Sequence, residues 1–314
     1  MDSLTRMKKT AGLALLLSTV LACGSDPPPP AQTPESNAAS ASTTADMPPT
    51  PVSEIPKAPP PAEVFNFGKK APAAGVKLTD KVTIEGKDEK RVEERKIEIV
   101  ASEDKTITKE KVTLTAFELT FKGKSSTPNK ALYGKAFTVE AGKDGATVTN
   151  DAGKPASASD KFVATRRPPH VGEPVASVVA LSERPLKVGD VVEGDRLGYF
   201  VSELNEWKDE SVKQPANVKR DFSGSRATLK GVDAGVATFD VTAKEKTTDS
   251  AGQFALEVEY TGTIWVKVSE SMPSKADLKT KGSLKIKDMP GPNGKKINVD
   301  VPLEQTITFE RKWE

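Results

Sequence analysis

Phe254-Ala255-Leu256-Glu257-Val258-Glu259-Tyr260-Thr261-Gly262-Thr263-Ile264-Trp265-Val266-Lys267-Val268 is the stretch on which the reading of the fold turns. Phe254, Leu256, Val258, Tyr260, Gly262, Ile264, Val266 and Val268 hold one parity, while Glu257, Glu259, Thr261, Thr263 and Lys267 hold the other. Side chains of a strand alternate between faces, so one face here is apolar and the other wet. That is the signature of an antiparallel sheet covering a core on one side. The run exceeds the usual strand of about 5–6 residues, so a kink is expected at Gly262.

The same alternation spreads outward from this strand. It recurs through Ala237, Phe239 and Val241, through Leu284 and Ile286, and through Val301, Leu303, Ile307, Phe309 and Trp313. Earlier in the chain, Val112, Leu114 and Ala116 hold one parity, then Phe117, Leu119 and Phe121 the other. A bulge inside a strand produces such a switch, and one is expected near Ala116-Phe117. Phe137 and Val139, then Ala146 and Val148, flank Asp144-Gly145, a hairpin signal. Val82 to Glu85 and Val92 to Val100 carry more charge and read as edge strands protected by Lys and Glu.

Helical spacing is confined to the middle of the chain. Leu197, Phe200, Val201, Leu204 and Trp207 form one apolar stripe, Val175, Val178 and Val179 a weaker one, and Ser159 to Thr165 a short helical turn. The expected fold is mainly β: long antiparallel strands in one large curved sheet or an open barrel, with a few short helices in the middle. Residues 64–314 form this β-rich part, as one domain or as two halves, 64–156 and 221–314, joined by a helical segment 157–220. A pseudo-duplication of the halves stays open, although no strict repeat is visible.

The amino terminus reads differently. Arg6, Lys8 and Lys9 precede Ala11 to Ala22, a charge-free run too short to cross a bilayer, which takes roughly 20 residues. Translation starts at Met1 or at Met7. Val20-Leu21-Ala22-Cys23-Gly24 resembles the lipobox of bacterial lipoproteins, which implies cleavage of residues 1–22 and lipidation of Cys23. Cys23 is the single cysteine of the chain. Each buried methylene contributes ~0.8 kcal/mol, so two or three acyl chains would anchor it to a membrane lastingly. By the same resemblance, Gly24 carries no inner-membrane retention signal. The expected address is the cell envelope, at the outer membrane, facing the periplasm or the cell surface.

From Cys23 to Glu63 the chain is Pro, Ala, Ser and Thr-rich, with 12 of its 24 prolines. Such a composition favours polyproline II and a disordered tether, on the order of 120 Å if fully extended and about 35 Å as a coil. Without residues 1–22 the chain has 43 charges of each sign. The basic excess therefore belongs to the leader, and the electrostatic footprint of nucleic-acid binding is absent.

The chemistry-bearing residues are sparse. His170, the single histidine, lies in Arg166-Arg167-Pro168-Pro169-His170 and reads as a loop residue. With one histidine and no thiol after lipidation, the common Cys/His zinc sites and a cysteine nucleophile are excluded, and no Gly-x-Ser-x-Gly elbow accompanies His170. Glu93-Glu94, Glu257/Glu259 and Asp209-Glu210 sit among lysines and read as wet faces rather than as paired catalytic acids. Asn150-Asp151-Ala152-Gly153 and Asp249-Ser250-Ala251-Gly252 read as hairpin turns, since further calcium ligands are lacking. Pro290-Gly291-Pro292-Asn293-Gly294 is turn punctuation, and no phosphate or dinucleotide loop is present. No catalytic, metal or cofactor residue is assigned. A transmembrane barrel is disfavoured by Lys- and Glu-rich faces and 5% aromatics.

Leu132-Tyr133-Gly134-Lys135-Ala136-Phe137-Thr138-Val139, Lys143-Asp144-Gly145, Gly153-Lys154-Pro155, Arg184-Pro185-Leu186-Lys187-Val188-Gly189-Asp190 and Gly262-Thr263-Ile264-Trp265-Val266 together resemble a pattern of exported bacterial envelope proteins. That resemblance implies a β-rich exported domain and transfers no activity. The expected function is a membrane-anchored, non-enzymatic binding or structural protein, partnered by the membrane and by an apolar ligand or an envelope protein. A carrier of lipid in a half-barrel cavity is the first alternative, and a carboxylate-dependent hydrolase the second.

Overall fold

A computed structural model describes residues 63–127, 130–143, 145–165, 171–204, 218–290 and 296–314. Cys23 with its leader and tether, Asp144, the His170 loop, Trp207, Asp209-Glu210 and Gly291 to Gly294 lie outside the described residues. In chain order the elements are β1 (Val64–Phe65), β2 (Lys77–Gly86), β3 (Glu89–Glu103), β4 (Thr106–Phe121), β5 (Lys124–Ser126), a 3-10 turn (Lys130–Leu132), β6 (Ala136–Glu140) and β7 (Thr147–Asn150). Helices α1 (Ala158–Thr165) and α2 (Ala176–Leu181) follow, then β8 (Leu186–Lys187), β9 (Val191–Glu193) and helix α3 (Asp195–Glu203). The chain continues through β10 (Val218–Asp221), β11 (Arg226–Asp233), β12 (Val236–Asp249), β13 (Phe254–Lys267), β14 (Met272–Pro290) and β15 (Lys296–Trp313).

The strands make one large antiparallel sheet of 13 strands among the described residues, in the order β7-β6-β4-β3-β2-β15-β14-β13-β12-β11-β9. Strand β5 pairs with β4 and β10 with β12, while β1 and β8 form a separate small pair. The order begins at β7 and stops at β9, so the sheet is open and does not close into a barrel. Strand β15 lies between β14 and β2, so the strands on either side of the helical segment belong to one continuous sheet.

Strand β13 carries the alternation that the sequence shows. Val258, Tyr260, Ile264 and Val266 are buried, and Glu257, Glu259 and Thr261 are exposed. Gly262 sits in mid-strand with φ +150°, and a Cβ there would lie 2.1 Å from the Asp277 carbonyl oxygen of β14. Glycine is required twice over, by its backbone angle and by the close approach of the neighbouring strand.

The expected bulge falls at Thr115. Glu94 pairs with Ala116 and Arg95 with Leu114, which leaves Thr115 unpaired on β4. The extra residue turns Val112, Leu114 and Phe117 to one face, and all three are buried. Strands β6 and β7 form the expected hairpin, with Gly142 and Gly145 exchanging backbone hydrogen bonds across the turn.

The reading of Val82 to Glu85 and Val92 to Val100 as edge strands is corrected. They belong to β2 and β3, which lie inside the sheet between β15 and β4. Their charges meet opposite charges across the ladder instead of guarding an edge. On the outer face Lys275, Glu310, Lys81 and Glu94 stand directly opposite one another across β14, β15, β2 and β3, alternating in sign. Cross-strand pairs of this kind contribute roughly 0.2–1 kcal/mol each, and a misregister brings like charges together.

Among the described residues, helices form at all three places where the spacing predicts them. Leu197, Phe200, Val201 and Leu204 are buried under α3, and Val175 and Val178 at α2. The core divides into two clusters on the inner face. One gathers Phe67, Ala176, Phe200, Leu229, Phe239, Ile264 and Ile307, and the other Leu78, Ile97, Val112, Phe137 and Val178. Helix α2 thus contributes to both clusters. Gly262→Ala should lower stability by more than about 2 kcal/mol in urea unfolding. Gly231→Ala, where a Cβ would meet nothing within 4 Å, serves as the comparison.

Candidate functional site

Several inner-face positions that alternation reserves for apolar side chains hold charges. On β2 the inner positions are Leu78, Asp80, Val82 and Ile84; on β3 they include Glu93, Arg95, Ile97 and Ile99; on β15 they include Ile307, Phe309 and Arg311. Register places Arg311 opposite Asp80, and Asp80 opposite Arg95, so three charges cross three strands in one row. Arg311 donates from Nε to Asp80 Oδ1 and from Nη2 to Asp80 Oδ2, both at 2.6 Å. This bidentate fork matches the planar carboxylate, the strongest arrangement open to such a pair. Arg95 Nη2 stands 3.8 Å from Asp80 Oδ2, a looser contact.

Two more carboxylates act on Arg95 from outside the row. Glu93, expected as a solvated face, is buried beside Arg95 on β3, which corrects that expectation. Glu110 on β4 is 2% exposed, and its Oε2 has no hydrogen-bond partner. Burial pushes the Glu110 carboxyl up to about 7, against the pull of Arg95. Burial also lowers the Arg95 guanidinium, opposed first by Asp80 and then by Glu93 and Glu110.

Helices α2 and α3 close over this row. Between them and the sheet lies a cavity of about 40 Å³, walled by Asp80, Arg95 and Arg311 on one side and by Ser177, Phe200 and Glu203 on the other. A water takes a share of about 30 Å³ in the liquid, so this space holds one or two. Elsewhere under α2 and α3 the helices pack directly on the inner face of the sheet.

A further buried carboxylate, outside this row, fastens α3 through Ser202. Glu245 of β12 accepts hydrogen bonds from Ser202 Oγ (2.9 Å) and Tyr260 Oη (3.0 Å) at Oε2, and from Thr247 Oγ1 (3.0 Å) at Oε1. Arg220 Nη2 lies 3.7 Å from Oε1. Gly198 lets the helix sit flush, since a Cβ there would lie 2.5 Å from both Phe222 Cβ and Ser225 Oγ. On the helices' far side, Ala176, Val179, Tyr199 and Phe222 line an open groove of about 370 Å³, with Asp195 and Arg196 beside them.

The inner face also runs past the buried core. Phe254 and Leu256 of β13, Leu284 and Ile286 of β14, and Val301 and Leu303 of β15 continue the apolar parity but are only half buried. Leu256 pairs with Leu284 and Leu284 with Val301, so the patch is contiguous across three strands. Strand spacings make it roughly 15 Å on a side.

The turns singled out in the sequence are structural. Asn150 Oδ1 accepts from the amides of Ala152 and Lys154, and Asp249 Oδ1 from those of Gln253 and Phe254. Their side chains thus serve the backbone in the manner of Asx turns. Asp190 of the Arg184 to Asp190 segment accepts from the Lys187 amide and from Arg184, which hold its carboxyl below the usual range. Among the described residues no cluster of three or more His, Cys, Asp or Glu is arranged to hold a metal ion.

Removing one partner of a buried ion pair strands the other. Arg311→Ala should therefore cost about 3–5 kcal/mol in denaturant unfolding at pH 7. Replacement of the exposed Lys246, paired with Glu257 at the surface, should cost below about 1 kcal/mol.

No family model matches the chain, and no curated protein matches it. Among solved structures it is similar to one described as "lipid-protein interactions in lipovitellin", with 11% identity and a TM-score of 0.28. The alignment covers 76% of this chain and 25% of that one, so the chain spans about a quarter of the other's length. A likeness of that size carries no argument about ligand or role.

Proposed function

We propose that this chain is a lipid-anchored protein of the cell envelope, a binding protein rather than a catalyst, held at Cys23 on its proline-rich tether. Its ligand on this reading is an acyl chain or a comparable apolar group. The observation that carries the reading is the inner face of the sheet, whose apolar rows continue through Leu256, Leu284, Val301 and Leu303 beyond the buried core. Contiguous half-exposed apolar surface of this kind marks ligand, membrane or partner contact. The outer face of the same strands carries Glu257, Lys285 and Asp300, with Lys246 of β12 paired to Glu257, so one side of this sheet end is wet and the other apolar.

The buried carboxylates favour binding over hydrolysis. Asp80 is taken up by Arg311, and Glu245 by three hydroxyl groups and Arg220. The space beside Asp80 has room for water but not for a sugar.

Two measurements test the proposal. Labelled palmitate should enter the protein in its own cells and be lost in Cys23→Ser; unchanged labelling in that variant would count against the anchor. Protein purified from those cells should yield extractable lipid and bind a fluorescent fatty acid. Leu284→Lys should weaken that binding about tenfold or more, since a charge in an apolar seat costs well over 1.4 kcal/mol. Val179→Lys, in the groove beside the helices, should leave it unchanged. A clean extract with no fatty-acid binding would defeat the ligand reading.

A further inference from the structure

We propose that the buried charge cluster is a proton-controlled latch on helices α2 and α3, with Glu110 as the group that takes up and releases the proton. The inference stands on the packing of the cluster and is independent of what the sheet end binds.

The groups around Glu110 define the charge balance. Strand β3 brings Arg95, with Glu93 two places along the same face; β2 brings Asp80 and β15 Arg311, while Glu203 of α3 stands on the far wall of the cavity. On its other side β6 places Val139 opposite, and α1 turns the buried Ala164 and Thr165 inward while its Asp160 and Lys161 are half exposed. Around Arg95, two guanidinium groups, Arg95 and Arg311, thus share the space with three carboxylates, Asp80, Glu93 and Glu110. An unbalanced charge in a desolvated site is strongly disfavoured, so one carboxyl keeps its proton. Glu110 is the one whose Oε2 lacks a partner. With Glu110 neutral, two charges of each sign remain in that group.

The latch acts through Arg95. Its contact with Asp80 is the loose one, 3.8 Å against the 2.6 Å of each arm of the Arg311 fork. When Glu110 ionises, the new carboxylate competes for Arg95 and leaves a net negative charge under the cover. Asp80 and Arg95 wall the cavity against Ser177 of α2 and Glu203 of α3, so the disturbance reaches both helices. The direction follows from linkage. The Glu110 carboxyl rises from 4.5 to about 7 on folding. Its stabilising contribution is then fully present below about 4.5 and is lost as pH rises through about 7. The cover is tight in mild acid and loosens above neutrality.

The test uses the full chain with carbon-labelled glutamate carboxyl groups. One resonance, absent in Glu110→Gln, should titrate near pH 7. Amide exchange of residues 176–181 and 195–203, corrected for its intrinsic pH dependence, should rise by about tenfold or more between pH 5 and 8. Glu110→Gln mimics the protonated acid and should abolish that rise, while Glu245→Gln, in the separate cluster, should retain it. A Glu110 resonance titrating in the ordinary glutamate range would overturn the proposal. So would a Glu110 titration near 7 with no change in exchange, or an equal rise in Glu110→Gln. If that variant fails to fold, the titration and exchange of the unaltered chain still decide.

Discussion

The sheet depends on the fork between Arg311 and Asp80. These residues are 231 positions apart, and their pairing fixes β15 against β2, the seam between the early strands and the late ones. A buried ion pair is a costly device, since desolvating two charges offsets much of their attraction. Its value here is discrimination. A slip of one residue along this seam would turn Arg311 to the wet face and bring Glu310 under the helices. The outer row of Lys275, Glu310, Lys81 and Glu94 applies the same check from the other side. Both faces of the seam therefore specify one register by charge.

Much of this architecture was legible in the alternation. Val258, Tyr260, Ile264 and Val266 are buried as their parity requires, and the parity switch after Ala116 marks a bulge one position away, at Thr115. Stripes such as Leu197, Phe200 and Val201 locate the helices because helical period is independent of partners. Neighbour relations were less accessible. Charged β2 and β3 imitate edge strands when read alone, because sequence shows the charge and not the opposite charge awaiting it on the next strand.

The candidate site was missed for a related reason. Asp80 between Leu78 and Val82, Arg311 between Phe309 and Trp313, and Glu245 two places after Ala243 each interrupt an apolar parity. A single interruption is ordinary, and only register shows that several of them meet. The usable signal would have been a charge of each sign at core parity in different strands. Glu93 illustrates the trap: beside Glu94 it resembles a solvated acidic pair, although strand geometry must send the two to opposite faces.

The central position of β15 has a consequence for how the chain reaches this state. Until β15 inserts, β2 and β14 each present an unpaired rim of amides and carbonyls to the surroundings. Strand β14 pairs with its neighbour in sequence, but the β2 rim is closed only by a segment more than two hundred residues away, and contacts of such range make folding slow. The half-formed sheet is then a template on which another copy's strand could lay itself. Its lysine- and glutamate-rich outer face would hold such copies apart only where like charges come opposite one another. The final strand is thus both the keystone of the sheet and the period of greatest exposure in its assembly.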